Sequence, residues 1–365
     1  MQSRIVGQVG AINEKKELTS LGHHLAAMPV DVHIGKVMLY GAIFGCLMPA
    51  LTIAACLSYR SPFYSFQREK HAAELAWQAL VAPSSATKES GEQSIARGEQ
   101  SDHLAMVAAY EGWRSSLEKG GSKAAREYCR KTFLSIQTLE MIRDMRRQFA
   151  TLLADIGFVK LPKGSATKDK WAPDWVDDPK QLWNVHALQP SIVKAVLCAG
   201  LYPNIAAMTE ESILLGHASA INAAGGGSGA RPKWTDGERP VAIHPSSINH
   251  PLTNFKFPFM VYHEKVQTSR VFIRDCSVVS PYQLLLFGGP ITVQHQTGQV
   301  TVDGWLSLKA PAQIAVLFKE LRRALDALLA QKISRPKQAD TDSSVDREVI
   351  GTIAKLLIDE QKPQM

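Results

Sequence analysis

The chain has 365 residues, 45% of them apolar and 21% charged, which excludes wholesale disorder and fibrous repeats and suggests two or three domains. Lys plus Arg is 41 and Asp plus Glu is 34, so the net charge is 41 − 34 = +7; that excess permits a polyanionic partner without demanding one. The five cysteines are odd in number, widely spaced and free of any C-x-x-C pair, which argues against a disulfide framework or zinc site and suits a reducing compartment. The N-terminal MQSRIVGQVG lacks the apolar run of a signal peptide.

Read in chain order, Val9–Asn13 and Glu17–Thr19 flank a polar turn. Thr19 or Ser20 then caps a helix that Pro29 ends. Val37–Tyr59 carries no formal charge and is long enough to span a bilayer. It holds Gly41, Gly45 and Pro49, however, and no aromatic belt or basic cluster brackets it. It reads as two buried helices, His33–Cys46 and Pro49–Ser58, with Pro49 in the first turn of the second. A helix near Phe66–Val81 follows, and Pro83–Gln100 reads as a solvated loop. Ser101-Asp102 caps the next helix. Phe133–Ile156 and Ser191–Ala199 are further helices, with Leu161–Leu182 as a linker between them.

The pattern changes after the Gly-rich stretch Ala223–Gly237, which reads as a flexible insertion. Phe257–His263, Arg270–Asp275, Leu284–Phe287, Ile291–Gln294, Val300–Val302 and Trp305–Leu308 are read as strands. Asp303-Gly304 is a hairpin signal between the last two. Short strands at this spacing suggest a small barrel. Pro311–Leu329 is an amphipathic helix before a polar tail.

Catalytic motifs are scarce. Gly35-Lys36 is followed by Val37, so it is not the phosphate loop whose hydroxyl holds magnesium. No G-x-S-x-G, H-E-x-x-H or G-x-G-x-x-G occurs. Ile358-Asp359-Glu360-Gln361 reads as part of a solvated terminal helix. His23 and His24 point about 100° apart on a helix and make no metal pair. Asp102-His103 reads as a helix cap. Basic residues are more suggestive: Arg143, Arg146 and Arg147 share a helical side, as do Lys319, Arg322 and Arg323, although most such stripes are only solvated faces. Lys265, Arg270 and Arg274 sit on and beside a hairpin with Thr268 and Ser269, a mixture suited to phosphate contacts.

Leu18–Phe63 closely resembles the helicase-associated region of DEAH/RHA-type (DExH-box) RNA helicases, as do SDHLAMVAAYEGW (Ser101–Trp113), IRDMRRQF (Ile142–Phe149) and VKAVLCAGLYPNIA (Val193–Ala206). FPFMVYHEKVQTSRVFIRD (Phe257–Asp275) and LLLFGG (Leu284–Gly289) resemble the OB-fold of the same family, and the blocks are collinear over about Gly7–Pro336. The resemblance implies an α+β multidomain chain in five parts. These are a winged-helix remnant (1–32), an all-α ratchet domain (33–222) with loops at 83–100 and 161–182, an insertion (223–237), an OB-fold β-barrel (238–310), and a C-terminal helix and tail (311–365). It also implies a C-terminal piece of a 3′–5′ RNA helicase, residing in the cytoplasm with the nucleus as the alternative. No Walker A, D-E-x-H or arginine-finger motif is present, so ATP and magnesium would come only through RecA-like motor domains, in the same full-length chain or in trans. No cofactor is expected within this chain, and no membrane. The expected partner is single-stranded RNA, held by His263, Lys265, Thr268, Ser269, Arg270 and Arg274 on the hairpin and by Arg143 and Arg147 in the channel. The other reading is a helicase remnant that acts as a protein-interaction module through exposed apolar surface.

Overall fold

A computed structural model describes residues 7, 9–83, 94–160, 175–218, 231–294, 299–309, 312–336 and 344–360. The chain opens with a minimal hairpin bridged at Ile12 and Leu18. Helix α1 (Ser20–Ala26) follows, its Gly22 N–H held by the Thr19 hydroxyl. Asp31 caps α2 (Val32–Ile43), and α3 (Leu47–Ser58) carries Pro49 in its first turn, where a missing N–H costs nothing. The chain reverses between them at Gly45, whose φ is +68°. At Gly41 a Cβ would lie 2.5 Å from the Ala50 Cβ, so this glycine lets the two helices close up. Residues Leu47–Cys56 are all buried. The uncharged run is therefore a helix pair at the centre of a bundle, apolar all round because protein surrounds it. Among the described residues no helix is long and apolar enough to cross a membrane.

Helix α4 (Lys70–Val81) packs on α5 (Asp102–Thr132), and α5, α6 (Ile136–Asp155) and α7 (Pro190–Leu201) pack around this pair. Helix α7 is buried along its length and crosses α2 at Gly200, where a Cβ would meet Val37 at 2.3 Å. Helix α5 is broken at Gly121, with φ 65° and ψ −164°. Tyr128 sits where a Gly112 Cβ would meet its hydroxyl at 2.1 Å. In a straight helix these residues would be about 24 Å apart, so the segment after Gly121 folds back on the one before it.

The barrel has the closed order β1-β2-β3-β5-β4, formed by β1 (Ile205–Met208), β2 (Trp234–Thr235), β3 (Pro240–Ile243), β4 (Phe259–Gln267) and β5 (Val271–Val279). A one-turn helix, α8 (Glu210–Leu214), follows β1. β3 and β5 are parallel and the other pairs antiparallel. Trp234, Phe255, Met260, Ile273 and Val278 fill the interior.

Several expectations are corrected here. The barrel opens at Ile205, well before residue 238. Trp234–Thr235, read as part of a flexible insertion, forms β2 with Trp234 in the barrel core. Leu284–Phe287 is not a strand but lies in helix α9 (Pro281–Phe287). Ser280 and Gln283 make a reciprocal capping box and Pro281 takes the first turn; these signals outrank a four-residue apolar run. The last three strands, β6 (Ile291–Gln294), β7 (Gln299–Val302) and β8 (Leu306–Lys309), leave the barrel and form their own antiparallel sheet. Asp303 (φ 57°) and Gly304 (φ 76°) make the tight turn between β7 and β8.

The described part of the expected solvated loop 83–100 is packed. Ile95 and Ala96 are buried, and Glu99 pairs with the buried Lys194 at 2.6 Å. Residues 84–93, 161–174 and 219–230 lie outside the described residues, as does the tail at 337–343. Helices α10 (Ala312–Ser334) and α11 (Ser344–Asp359) close the structure. The end of α11 is docked rather than solvated: Glu360 accepts from the Ser280 hydroxyl at 2.5 Å and the Tyr282 N–H at 3.2 Å. All five cysteines are free and buried.

Candidate nucleic-acid interface

The barrel and the bundle are sewn together at the start of α5. Ser101 caps the helix and bridges to Ser277 of β5. The buried Asp102 accepts from Ser247 Oγ (2.9 Å), the Ile248 N–H (2.9 Å) and the Cys276 N–H (2.7 Å). His103 Nδ1 lies 2.7 Å from Ser277 Oγ. Asp102-His103 thus fixes the barrel on the helices and is no acid–base pair. Burial pushes the Asp102 carboxyl up to about 7 and the His103 imidazole down to about 3.

From this joint the β4–β5 hairpin runs outward. Residues Phe259–Tyr262 are buried and Glu264 onward is largely exposed. The ladder skips the pair His263 and Asp275, where Asp275 takes a left-handed φ of 52°, a local kink between the two halves. His263 lines an open groove of about 570 Å³ with Met28, Asp31, Ile34, Leu57 and Ser58. The groove therefore joins barrel, bundle and N-terminal segment. The Nδ1 atom of His263 is buried without a hydrogen-bond partner among the described residues.

The outer hairpin carries the expected cations, but they are not equivalent. Lys265 Nζ donates to Asp236 Oδ2 at 2.8 Å and lies 5.9 Å from the Tyr262 ring centre. Burial opposes the Lys265 charge, yet the Asp236 carboxylate and Tyr262 outweigh it and hold the ammonium above its ordinary value. Asp236 is itself gripped by the backbone N–H groups of Glu238 and Arg239 at 3.1 and 2.9 Å. Burial pushes its carboxyl up, but Lys265 and these two donors keep it below the usual carboxylate range. Arg274 faces Glu264 across the ladder at 3.7 Å. Thr268, Ser269 and Arg270 form the exposed tip, closed by Thr268 N–H to Arg270 O at 2.9 Å. Arg270 is the hairpin cation with no carboxylate beside it among the described residues. Asp236 was invisible in a stretch read as an insertion. The T-D-G-E-R pattern, an Asx turn, was the available signal.

The helical arginines also separate. Arg146 is fully buried, hydrogen-bonded to Tyr110 Oη at 2.7 Å and paired with Asp177. Its burial is offset by Asp177, Tyr110 and Glu111, so it stays charged. Arg143 is 9% exposed, with its guanidinium 5.8 Å from the Trp113 ring centre. Arg147, half-buried, follows one residue after Arg146. Arg143 and Arg146 therefore face no solvent but a packed seam between α5, α6 and the turn at Trp175–Asp177. Arg322 likewise is tied down, donating to the Gly289 carbonyl at 2.6 Å and to Gly288 O. His24 Nε2 meets Ile333 O at 2.7 Å, a structural contact. Among the described residues no group of His, Cys, Asp and Glu could hold a metal ion.

Family profiles match in the order that this architecture requires. They are helicase-associated winged-helix (8–30), helicase-associated ratchet-like (31–106), oligonucleotide/oligosaccharide-binding OB-fold (193–291) and the C-terminal domain of RNA helicases (298–359). The chain matches the C-terminal region of DEAH/RHA-type RNA helicases. It is 44% identical over 362 residues to the DExH-box ATP-dependent RNA helicase DExH4, chloroplastic, of Arabidopsis thaliana, covering 99% of this chain and 24% of that protein. The putative ATP-dependent RNA helicase DHX57 of Mus musculus is 41% identical over 359 residues, covering 96% of this chain and 25% of that protein. The ATP-dependent DNA/RNA helicase DHX36 of Homo sapiens is 37% identical over 360 residues, covering 97% and 31%. The chain thus spans 24% to 31% of the length of these relatives.

Proposed function

We propose that this chain is the RNA-binding accessory region of a DExH-box helicase. It lines a channel for single-stranded RNA and supports ATP-driven 3′–5′ unwinding when RecA-like motor domains are present. The observation that carries the reading is the β4–β5 hairpin. Its exposed tip leads through His263 into a groove shared with the ratchet helices. A strand lying along this path would meet Arg270, Thr268 and Ser269 at the tip, Lys265 and Arg274 along the ladder and His263 in the groove. Arg143 and Arg147 are the second set, on helix α6. The backbone phosphates supply sequence-independent affinity, in keeping with an OB-fold surface.

Photo-crosslinking with a 4-thiouridine-substituted single strand tests this. Adducts should map to the 263–274 peptide and fade as salt rises. Adducts confined to other peptides would overturn the assignment. The second reading, a protein-docking module, is favoured by Leu182, Val185 and Leu188, which are 80%, 55% and 57% exposed just before α7. A motor domain seated there, in the same chain or in trans, would cover apolar surface that water now meets.

A further inference from the structure

We propose that the loop after α3 is a second contact for single-stranded RNA, a base-stacking platform made by Tyr64 and Phe66. The inference rests on the reading that the chain binds single-stranded RNA, but it uses a different surface and different chemistry. Tyr64 and Phe66 are 45% and 67% exposed, with rings edge-to-face and centroids 6.0 Å apart. Exposed aromatics of this size are expected to move. These stand on a rigid support. The Tyr64 N–H donates to Phe133 O at 3.1 Å, and the Ser135 N–H donates to Pro62 O at 2.9 Å. Phe63 bridges to Leu134 and packs on Trp77, whose indole N–H reaches Thr132 O at 3.0 Å. The loop is thus stitched to the turn between α5 and α6.

Cations stand beside the pair together with carboxylates: Glu69 is exposed next to Arg68, and Glu127 lies 3.4 Å from Lys131. Arg68 is exposed two residues on, and Lys131 stands at the end of α5 with its side chain 69% exposed. On the approach to the loop, Arg60 lies 5.1 Å from the Tyr59 ring centre and is steadied by Thr138 Oγ1 at 3.1 Å. Aromatic faces interleaved with guanidinium and ammonium groups are what an unpaired nucleotide needs: a surface for its base and charge for its phosphate. A duplex offers no free base face, so the platform selects single strands.

Binding of single-stranded and fully duplex RNA to the whole chain decides it. Tyr64→Ala/Phe66→Ala should lose about tenfold in single-strand affinity for each stacked base forfeited and leave duplex binding unchanged. Tyr64→Phe/Phe66→Tyr should restore it, and Phe66→Leu, apolar but without a π-face, should not. Unchanged single-strand affinity in the double alanine variant would overturn the proposal and turn the pair toward a protein partner. Equal loss for duplex and single strand would overturn it too, since charge or fold rather than stacking would then be at issue. If Lys265→Ala/Arg270→Ala binds normally while Tyr64→Ala/Phe66→Ala does not, the hairpin assignment fails and this one stands.

Discussion

Arg143, Arg146 and Arg147 look alike as letters on a helix, yet their partners make them different residues. Arg146 is neutralised by Asp177, which lies 31 positions away in sequence. No periodicity argument could have supplied that partner. Removing one member of a buried pair costs about 3–5 kcal/mol because the other charge is left behind. Asp177 keeps Arg114 at 3.1 Å, so Arg146→Met should fall near the lower end of that range. Arg130, whose side chain is 74% exposed, should tolerate alanine with little change in stability. Urea denaturation of the two variants measures the contrast, and equal small losses would mean the Arg146 pair is not structural. The hairpin follows the same logic. Its residue types, and Glu264 opposite Arg274, were legible in the sequence, whereas the carboxylate that quiets Lys265 was not, because Asp236 arrives from the turn between β2 and β3. Arg270→Ala alone should therefore weaken RNA binding more than Lys265→Ala alone, as titrations at fixed salt would show.

At the scale of elements, caps and breakers are the reliable signals and short apolar runs the unreliable ones. Thr19, Ser101 and the early Pro49 mark their helices in the sequence because each solves a local problem of unpaired backbone groups. Leu284–Phe287 misleads because four apolar residues carry no period, while Ser280-Pro281 just before them announces a helix. The α3 helix, all of it buried from Leu47 to Cys56, leaves no room for charge. Leu51→Asp should cost several kcal/mol, or prevent folding, since an unpaired carboxylate would sit in the bundle centre. Retention of the wild-type melting temperature would contradict that placement. The docked end of α11 makes a pH prediction. Burial pushes Glu360 from 4.5 up to about 7, against the opposing bonds from Ser280 and Tyr282. Between those values the unfolded chain gives up this proton and the folded chain keeps it. The Glu360 contribution to stability is thus lost as pH rises from about 4.5 to about 7. Melting temperatures across that window should fall more steeply for wild type than for Glu360→Gln; parallel curves would contradict the docking.

For the whole molecule, the order of domains is readable because long blocks of sequence resemble one family in one order. The boundaries are not, because β1 follows α7 almost without a break and belongs by sequence to the helical stretch. The missing phosphate loop and D-E-x-H predict that the isolated chain shows no RNA-stimulated ATP hydrolysis above background. Turnover abolished by a point substitution within the chain would contradict this. The central claim is that single-stranded RNA is held by the β4–β5 hairpin through its phosphates. Its most direct test is the salt dependence of RNA affinity for wild type and Lys265→Ala/Arg270→Ala. The double variant should bind more weakly, about equally across sequences. Its slope of log affinity against log salt should flatten by up to about 0.7 for each phosphate that is no longer neutralised. A folded double variant with unchanged affinity and unchanged slope would contradict the claim.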